Sequence, residues 1–209
     1  MRLKTADGLA LEAEWIAPPG ARATAVLCHP HPQYGGTMRS IVISALFDSL
    51  PALGIACLRF NFRGVENSEG EYSEGRDEPH DVTAAIDAAI DAGAQAGLGG
   101  PLVLIGWSFG ADIALTIADP RLAGWMGIAP PLRFRPERDY DSVGNDPRPK
   151  LLALAAHDEF RAPPEIEAET ADWAETRIEV VAGASHFFVG RTERVVALAE
   201  EFVARLRED

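Results

Sequence analysis

Basic residues are scarce in this chain. Nineteen Lys and Arg stand against 32 Asp and Glu among 209 residues, a formal net charge of −13 at pH 7 with histidine neutral. A nucleic-acid partner needs a cationic surface that displaces counterions from phosphates, so this balance argues against that class. The acidity serves solubility or a saline cytoplasm instead. Long apolar runs are missing as well. None approaches the roughly 20 residues that cross a bilayer, and no membrane partner is expected. The segment Met1-Arg2-Leu3-Lys4-Thr5-Ala6-Asp7-Gly8 lacks the apolar stretch of a signal peptide, which makes the cytoplasm the expected address. Cysteine is limited to Cys28 and Cys57, each inside an apolar run of strand character. Two buried free thiols in a reducing compartment are expected rather than a disulfide. There is no internal repeat and no low-complexity tract. His29 and His31, interleaved with prolines and without a Cys/His/carboxylate cluster, make a thin metal site, so no metal and no other cofactor is expected.

What remains is ordinary for one globular domain. The chain is 47% hydrophobic and 24% charged, and a chain of this length buries about 70% of its unfolded surface. Strand and helix patterns alternate along it. Residues 2–5 and 9–16 form a hairpin about Asp7-Gly8, a favourable turn dipeptide. Strands are expected at 23–28, 55–60, 101–107, 122–128, 150–156 and 177–182. Helices are expected at 38–50, from Pro79 to about Gly97, and at 109–118, 164–173 and 191–207. In the second of these, Val82, Ile86 and Ile90 repeat at i, i+4, i+8, with Asp87 and Asp91 pointing away. Residues 61–78 form a polar loop, and 129–149, rich in proline, arginine and aspartate, a short cap-like insertion. Such alternation builds a mostly parallel sheet with helices on both faces. Ligands then bind beyond the carboxyl ends of the strands.

One stretch carries most of the functional information. The apolar run Leu102 to Ile105 leads directly into Gly106-Trp107-Ser108-Phe109-Gly110, and a helical segment follows. This is the form of a nucleophile elbow, a tight strand-to-helix turn that raises one serine above the sheet edge. Bulk at Gly106 or Gly110 would collide as strand and helix pass, and the serine between them sits in a strained conformation. The helix N-terminus behind it favours developing negative charge.

Other strand ends are equally polar. His29-Pro30-His31-Pro32-Gln33-Tyr34-Gly35-Gly36 follows 23–28, His157-Asp158-Glu159-Phe160 follows 150–156, and Gly183-Ala184-Ser185-His186-Phe187-Phe188 follows 177–182. Serine, carboxylate, histidine is the chain order of Ser-Asp-His hydrolases of this architecture. A serine hydroxyl at neutral pH needs an adjacent base, and His186 is the candidate. Asp158 would fix the imidazole tautomer and stabilise the imidazolium. Glu159 is its neighbouring rival, and a helix-capping role is the alternative for Asp158. An oxyanion needs two N–H donors. Phe109, next after the serine, supplies one. Pro30 and Pro32 have no N–H, which leaves His31 for the other. Tyr34, Trp107 and Phe187 are expected to wall the substrate pocket. Asn61-Phe62-Arg63-Gly64 shapes the sheet edge, with Arg63 at the mouth, and His80 and His157 lie on the surface.

Together the blocks HPHPQYGGTM (29–38), LRFNFRGV (58–65), GWSFG (106–110), DEF (158–160) and HFFVGR (186–191) resemble the small bacterial α/β-hydrolases related to dienelactone hydrolases and the prolyl oligopeptidase catalytic domain. The resemblance spans nearly the whole chain. It implies the α/β-hydrolase fold in a single domain, 1–209, with a minimal cap. It also implies Ser108, Asp158 and His186 as a triad, with His31 and Phe109 at the oxyanion hole. Two features depart from that group: Glu66 stands where its members tend to carry glycine, and serine replaces the cysteine nucleophile of dienelactone hydrolases proper. The leading expectation is a serine hydrolase of small carboxylic esters. An acyl thioesterase or small peptidase would use the same machinery, and Arg63, Arg133, Arg135 and Arg161 are candidate cations for an acidic thioester. A non-catalytic binding protein on the same scaffold is the expectation from another class.

Overall fold

The apolar runs pair as eight strands of one sheet in this computed structural model, which describes residues 1–133 and 140–206. β1 (Arg2–Lys4) and β2 (Ala10–Ile16) form the antiparallel hairpin, with buried Leu3 opposite buried Leu11. The remaining strands are β3 (Ala23–Cys28), β4 (Ile55–Phe60), β5 (Leu102–Trp107), β6 (Gly124–Ile128), β7 (Lys150–His157) and β8 (Thr176–Ser185). Their order is β1-β2-β4-β3-β5-β6-β7-β8. β2 runs antiparallel to β4, and from β4 onward every neighbouring pair is parallel. This is the α/β-hydrolase fold expected from the sequence.

Helices cover both faces because both faces of the parallel strands are apolar. α2 (Glu78–Gln95), α3 (Phe109–Ala114) and α5 (Pro163–Glu169) lie on one side. There Val82, Ile86, Ile113 and Ile166 pack with Val26, Leu58 and Leu104. α1 (Ile41–Ser49) and α6 (Thr192–Arg205) lie on the other, where Ile43, Leu46, Leu198 and Phe202 pack with Leu27, Ile105 and Met126. Side-chain alternation divides the two cysteines the same way. Cys28 belongs to the first core and Cys57 to the second, so the sheet itself separates them. Both are free and buried. Burial pushes the Cys57 thiol up to about 12 and raises that of Cys28 likewise, which keeps both protonated.

Several boundaries differ from expectation for local reasons. The helix expected at 38–50 starts at Ile41, and Leu50–Leu53 tightens into a 3₁₀ turn that accommodates Pro51. The helix expected at 109–118 ends at Ala114, because Thr116 and Ile117 donate three residues back, to Ile113 and Ala114. The one expected at 164–173 ends at Glu169, where the Thr170 hydroxyl and amide both bond to the Ile166 carbonyl. β8 extends three residues beyond its expected end. Within 129–149 a short helix, α4 (Asp141–Gly144), forms where no periodicity pointed to one. Residues 134–139 of that insertion, and residue 207 of the expected last helix, lie outside the described residues. Among the described residues no lid stands over the sheet edge.

Candidate active site

β3 and β5 are neighbours, but β4 lies beyond β3 while β6 to β8 lie beyond β5. The connections therefore leave in opposite directions and open a crevice at the carboxyl ends of these two central strands. Ser108 stands there, directly after β5. Its backbone has φ 54° and ψ −120°, a conformation that costs a residue with a side chain roughly 1–3 kcal/mol. The turn is held by Ser108 N–H donating to Ile128 O (2.8 Å) and Ala111 N–H donating to Ser108 O (2.9 Å). The glycines permit the crossing. A Cβ on Gly106 would lie 2.3 Å from Gly110 O, and one on Gly110 would lie 2.3 Å from Cys28 O.

The histidine and carboxylate reach this serine from the far side of the sheet. After a register shift between Ala155 and His157, β7 and β8 pair His157 with Ser185, so the next residues, Asp158 and His186, emerge side by side. His186 Nε2 lies 2.9 Å from Ser108 Oγ, and its Nδ1 lies 2.8 Å from Asp158 Oδ2. An ionised carboxylate only accepts, so Nδ1 carries the proton and Nε2 offers its lone pair to the serine hydroxyl. The other Asp158 oxygen, Oδ1, accepts from the Phe160 and Arg161 amides at 2.9 and 3.1 Å. The geometry also separates the two candidate carboxylates. Asp158 meets the imidazole, while Glu159 Oε2 accepts the backbone N–H of His186 at 3.0 Å.

Aromatic rings surround the histidine. Phe160 lies 4.5 Å from the His186 ring and Phe187 5.6 Å, and both phenyl rings are about half exposed. No sequence signal places Phe160 beside the histidine; its position follows from the turn that Asp158 Oδ1 holds. Trp107 corrects an expectation. It is buried, and its Nε1–H donates to His186 O (3.1 Å), so it supports the histidine from beneath instead of walling a pocket. Tyr34 is 86% exposed and packs its ring 4.7 Å from that of His31.

The loop after β3 is fixed from below by residues of the 61–78 loop. His29 is fully buried; its Nδ1–H donates to Pro30 O (2.6 Å) and its Nε2 accepts from Phe62 N–H (3.0 Å). With both nitrogens engaged by backbone groups, His29 has none to give a metal. Burial lowers its pKa to about 4, so it stays neutral. His31 Nδ1 accepts from Gln33 N–H (3.2 Å), and its Nε2 lies 3.0 Å from the Tyr72 hydroxyl. The His31 carbonyl accepts from Tyr34 and Gly36, closing a turn so tight that a Cβ on Gly36 would lie 2.2 Å from Pro30 O. Met38 N–H donates to Asn61 Oδ1 (2.8 Å), a second tie between the loops. The main chain of His31 is thus held beside the elbow, its ring centroid 5.1 Å from that of Phe109.

The arginines sort differently than expected. Arg63 does not line the mouth: it is buried and bonds to Asp81 through Nε and Nη2, the latter at 2.7 Å, and to Asp7 at 3.0 Å. Neither buried Asp81 nor buried Glu78, which accepts from Ser73 N–H and Oγ–H, carried a signal in the sequence beyond helix-opening acidity. Arg161 is committed to the Pro131 and Leu132 carbonyls and to Glu169. Arg133 is exposed, lies against the Phe160 ring and donates to the Phe160 carbonyl. Arg135 lies outside the described residues. Glu66 adopts φ 49°, the left-handed conformation that glycine takes without cost, and its carboxylate turns to Asn61 and Arg39. His80 and His157 are exposed, as expected.

A family model described as an alpha/beta hydrolase domain matches residues 21–205. An alpha-beta serine hydrolase homologue from Coxiella burnetii is similar in structure, with a TM-score of 0.82 at 30% identity over 97% of this chain and 96% of that one. An α/β serine hydrolase without lid from Xanthomonas campestris gives 0.82 at 27% identity, covering 98% and 93%. An uncharacterised protein of Rickettsia prowazekii is 27% identical over 193 residues, 88% of this chain and 80% of that one.

Proposed function

We propose that this chain, which belongs to the alpha/beta hydrolase family, is a serine hydrolase that cleaves small carboxylic esters through a covalent acyl-enzyme. One observation carries the reading: the unbroken hydrogen-bond path Ser108 Oγ to His186 Nε2 (2.9 Å) and His186 Nδ1 to Asp158 Oδ2 (2.8 Å), set on a strained elbow. Ser108 Oγ attacks the ester carbonyl carbon while His186 Nε2 takes its proton. Asp158 holds the ring and stabilises the resulting imidazolium. The carbonyl oxygen, now an anion, is received by the backbone amides of Phe109 and His31. Collapse breaks the carbon–alkoxide bond, and His186 returns its proton to the departing alcohol. A water molecule then gives a proton to His186 and its hydroxide to the acyl carbon; the bond from that carbon to Ser108 Oγ breaks as His186 returns the proton to Oγ, which releases the carboxylic acid and restores the serine. Half-exposed Phe160 and Phe187 beside the histidine offer apolar contact to the substrate, and with no lid among the described residues the site suits a small soluble ester.

A thioester substrate is the second reading. Exposed Arg133 beside Phe160 is the observation that favours it, since that cation would attract an acidic thiol carrier. The cytoplasm is the proposed location, where two free thiols stay reduced.

Intact mass after treatment with a fluorophosphonate tests the core of this reading. Wild type should gain a single adduct and turn over short-chain aryl esters, and Ser108→Ala should do neither. A folded wild type that takes no adduct would sink the proposal in favour of a binding protein. Thiol release from acyl thioesters, compared with hydrolysis of the matching oxygen esters, separates the two substrate classes.

A further inference from the structure

At the opposite edge of the sheet from Ser108, the starts of β7 and β8 and the end of α6 border an open cavity of about 470 Å³. Among the described residues, three cations line it, Lys150, Arg177 and Arg205, against one carboxylate, Glu175, with the rings of Trp173 and Phe202 completing the wall. In a chain with a net charge of −13, a local excess of two positive charges is a marked inversion. Two of these cations are also largely withdrawn from solvent. Lys150 is 1% exposed; its ammonium donates to the Asp146 and Arg148 carbonyls at 2.6 and 2.9 Å and lies over the Trp125 ring, and among the described residues Asp146 and Glu175 act on it only from beyond ion-pair distance. Arg177 bonds to Glu179 through Nη1 (3.1 Å), while its Nη2 is buried and has no partner. A buried donor without an acceptor is costly, and native proteins seldom keep one without use.

We propose that this cavity is a binding site for a phosphate monoester carrying one planar ring. The charge count chooses phosphate over carboxylate. An excess of two positive charges matches a phosphate monoester, whose charge is about −1.5 to −2 at pH 7 and whose three outer oxygens can accept from all three cations. The ring is chosen by Trp173 and Phe202, which offer apolar and aromatic contact to a flat group. The site stands apart from the triad. β7 alone separates Lys150 from His157 by roughly 23 Å at about 3.3 Å per residue, so occupancy leaves Ser108 open.

Calorimetric titration of the full chain with phenyl phosphate and with inorganic phosphate tests the proposal, on wild type, Ser108→Ala, Arg177→Gln and Arg205→Ala. Phenyl phosphate should bind saturably, about tenfold more tightly than inorganic phosphate, and equally well to Ser108→Ala. Arg177→Gln and Arg205→Ala should each weaken it about tenfold while keeping fluorophosphonate labelling at wild-type rate, which certifies their fold. Absence of saturable binding overturns the proposal, as does affinity unchanged in both arginine variants. Binding lost in Ser108→Ala would place the ligand at the triad and overturn it too. Equal affinity for the two phosphates would refute the ring and leave a site for the free anion.

Discussion

Replacing Gly110 by alanine adds one methyl group at the point where the elbow helix crosses the end of β3. That methyl would sit 2.3 Å from the Cys28 carbonyl oxygen and 2.5 Å from that of His29. Carbon–oxygen contacts ordinarily close to about 3.3 Å, so helix and strand must part by about 1 Å. Both obstructing atoms are backbone at the root of the His31 loop, and no side-chain rotation relieves them. Overpacking of this kind costs about 1–3 kcal/mol, which urea denaturation reads directly. The larger effect should fall on reactivity, since the shift moves Ser108 and Phe109 relative to His31. A misplacement of about 1 Å at a reacting group costs on the order of 10²-fold in rate, here the rate of fluorophosphonate labelling. Gly93, inside α2, is the control: a Cβ there meets nothing within 4 Å. Gly93→Ala should raise stability by about 0.5–1 kcal/mol and leave labelling unchanged. If Gly110→Ala labels at the wild-type rate with an unchanged urea midpoint, the close crossing does not govern the site and this reasoning fails.

Further expectations concern the histidines and their partners. Asp158→Asn presents the wrong tautomer to Ser108 and should slow labelling by about 10³- to 10⁴-fold; Glu159→Gln keeps an acceptor for the His186 amide and should cost less than tenfold, so a reversed ranking of the two rates would exchange their roles. His29 is held neutral with its pKa lowered to about 4, against about 6.5 in the unfolded chain. The folded state then binds fewer protons than the unfolded state between those values. Stability from this group is complete above pH about 6.5 and declines by about 3 kcal/mol as pH falls toward 4. Urea titrations near pH 7 and near pH 4 measure the decline, and His29→Gln should flatten it; equal slopes in the two proteins would contradict the buried neutral imidazole.

Much of this molecule was legible in the chain because its signals are local. The alternation of apolar runs and 3.6-residue periodicity specified a parallel α/β sheet with a leading hairpin, and the elbow announced itself through two glycines that only a close crossing requires. The elbow motif, the polar blocks just past the strand ends and their chain order together nominated Ser108, Asp158 and His186. Other matters depended on contacts between residues far apart in sequence. Whether Asp158 or Glu159 faces the imidazole depended on the register shift between β7 and β8, which no spacing within either strand reveals. Trp107 was expected to wall a pocket, but an outward or inward aspect in a strand buried on both faces is settled by what packs above it, here the carbonyl of His186. Arg63 was expected at the mouth; its burial follows from Asp81 and Asp7, whose carboxylates come from a helix and a hairpin that only the folded chain brings together. The cationic cavity at the far edge escaped the sequence for the same reason. Lys150, Arg177 and Arg205 lie in an acidic chain, and it is the meeting of two strand starts and one helix end that gathers their charge. The amino-acid sequence by itself determined the periodic elements and the chemistry available at their ends. The tertiary structure alone decided which of those ends meet, because register, strand order and burial are properties of pairs of segments and no single segment encodes them.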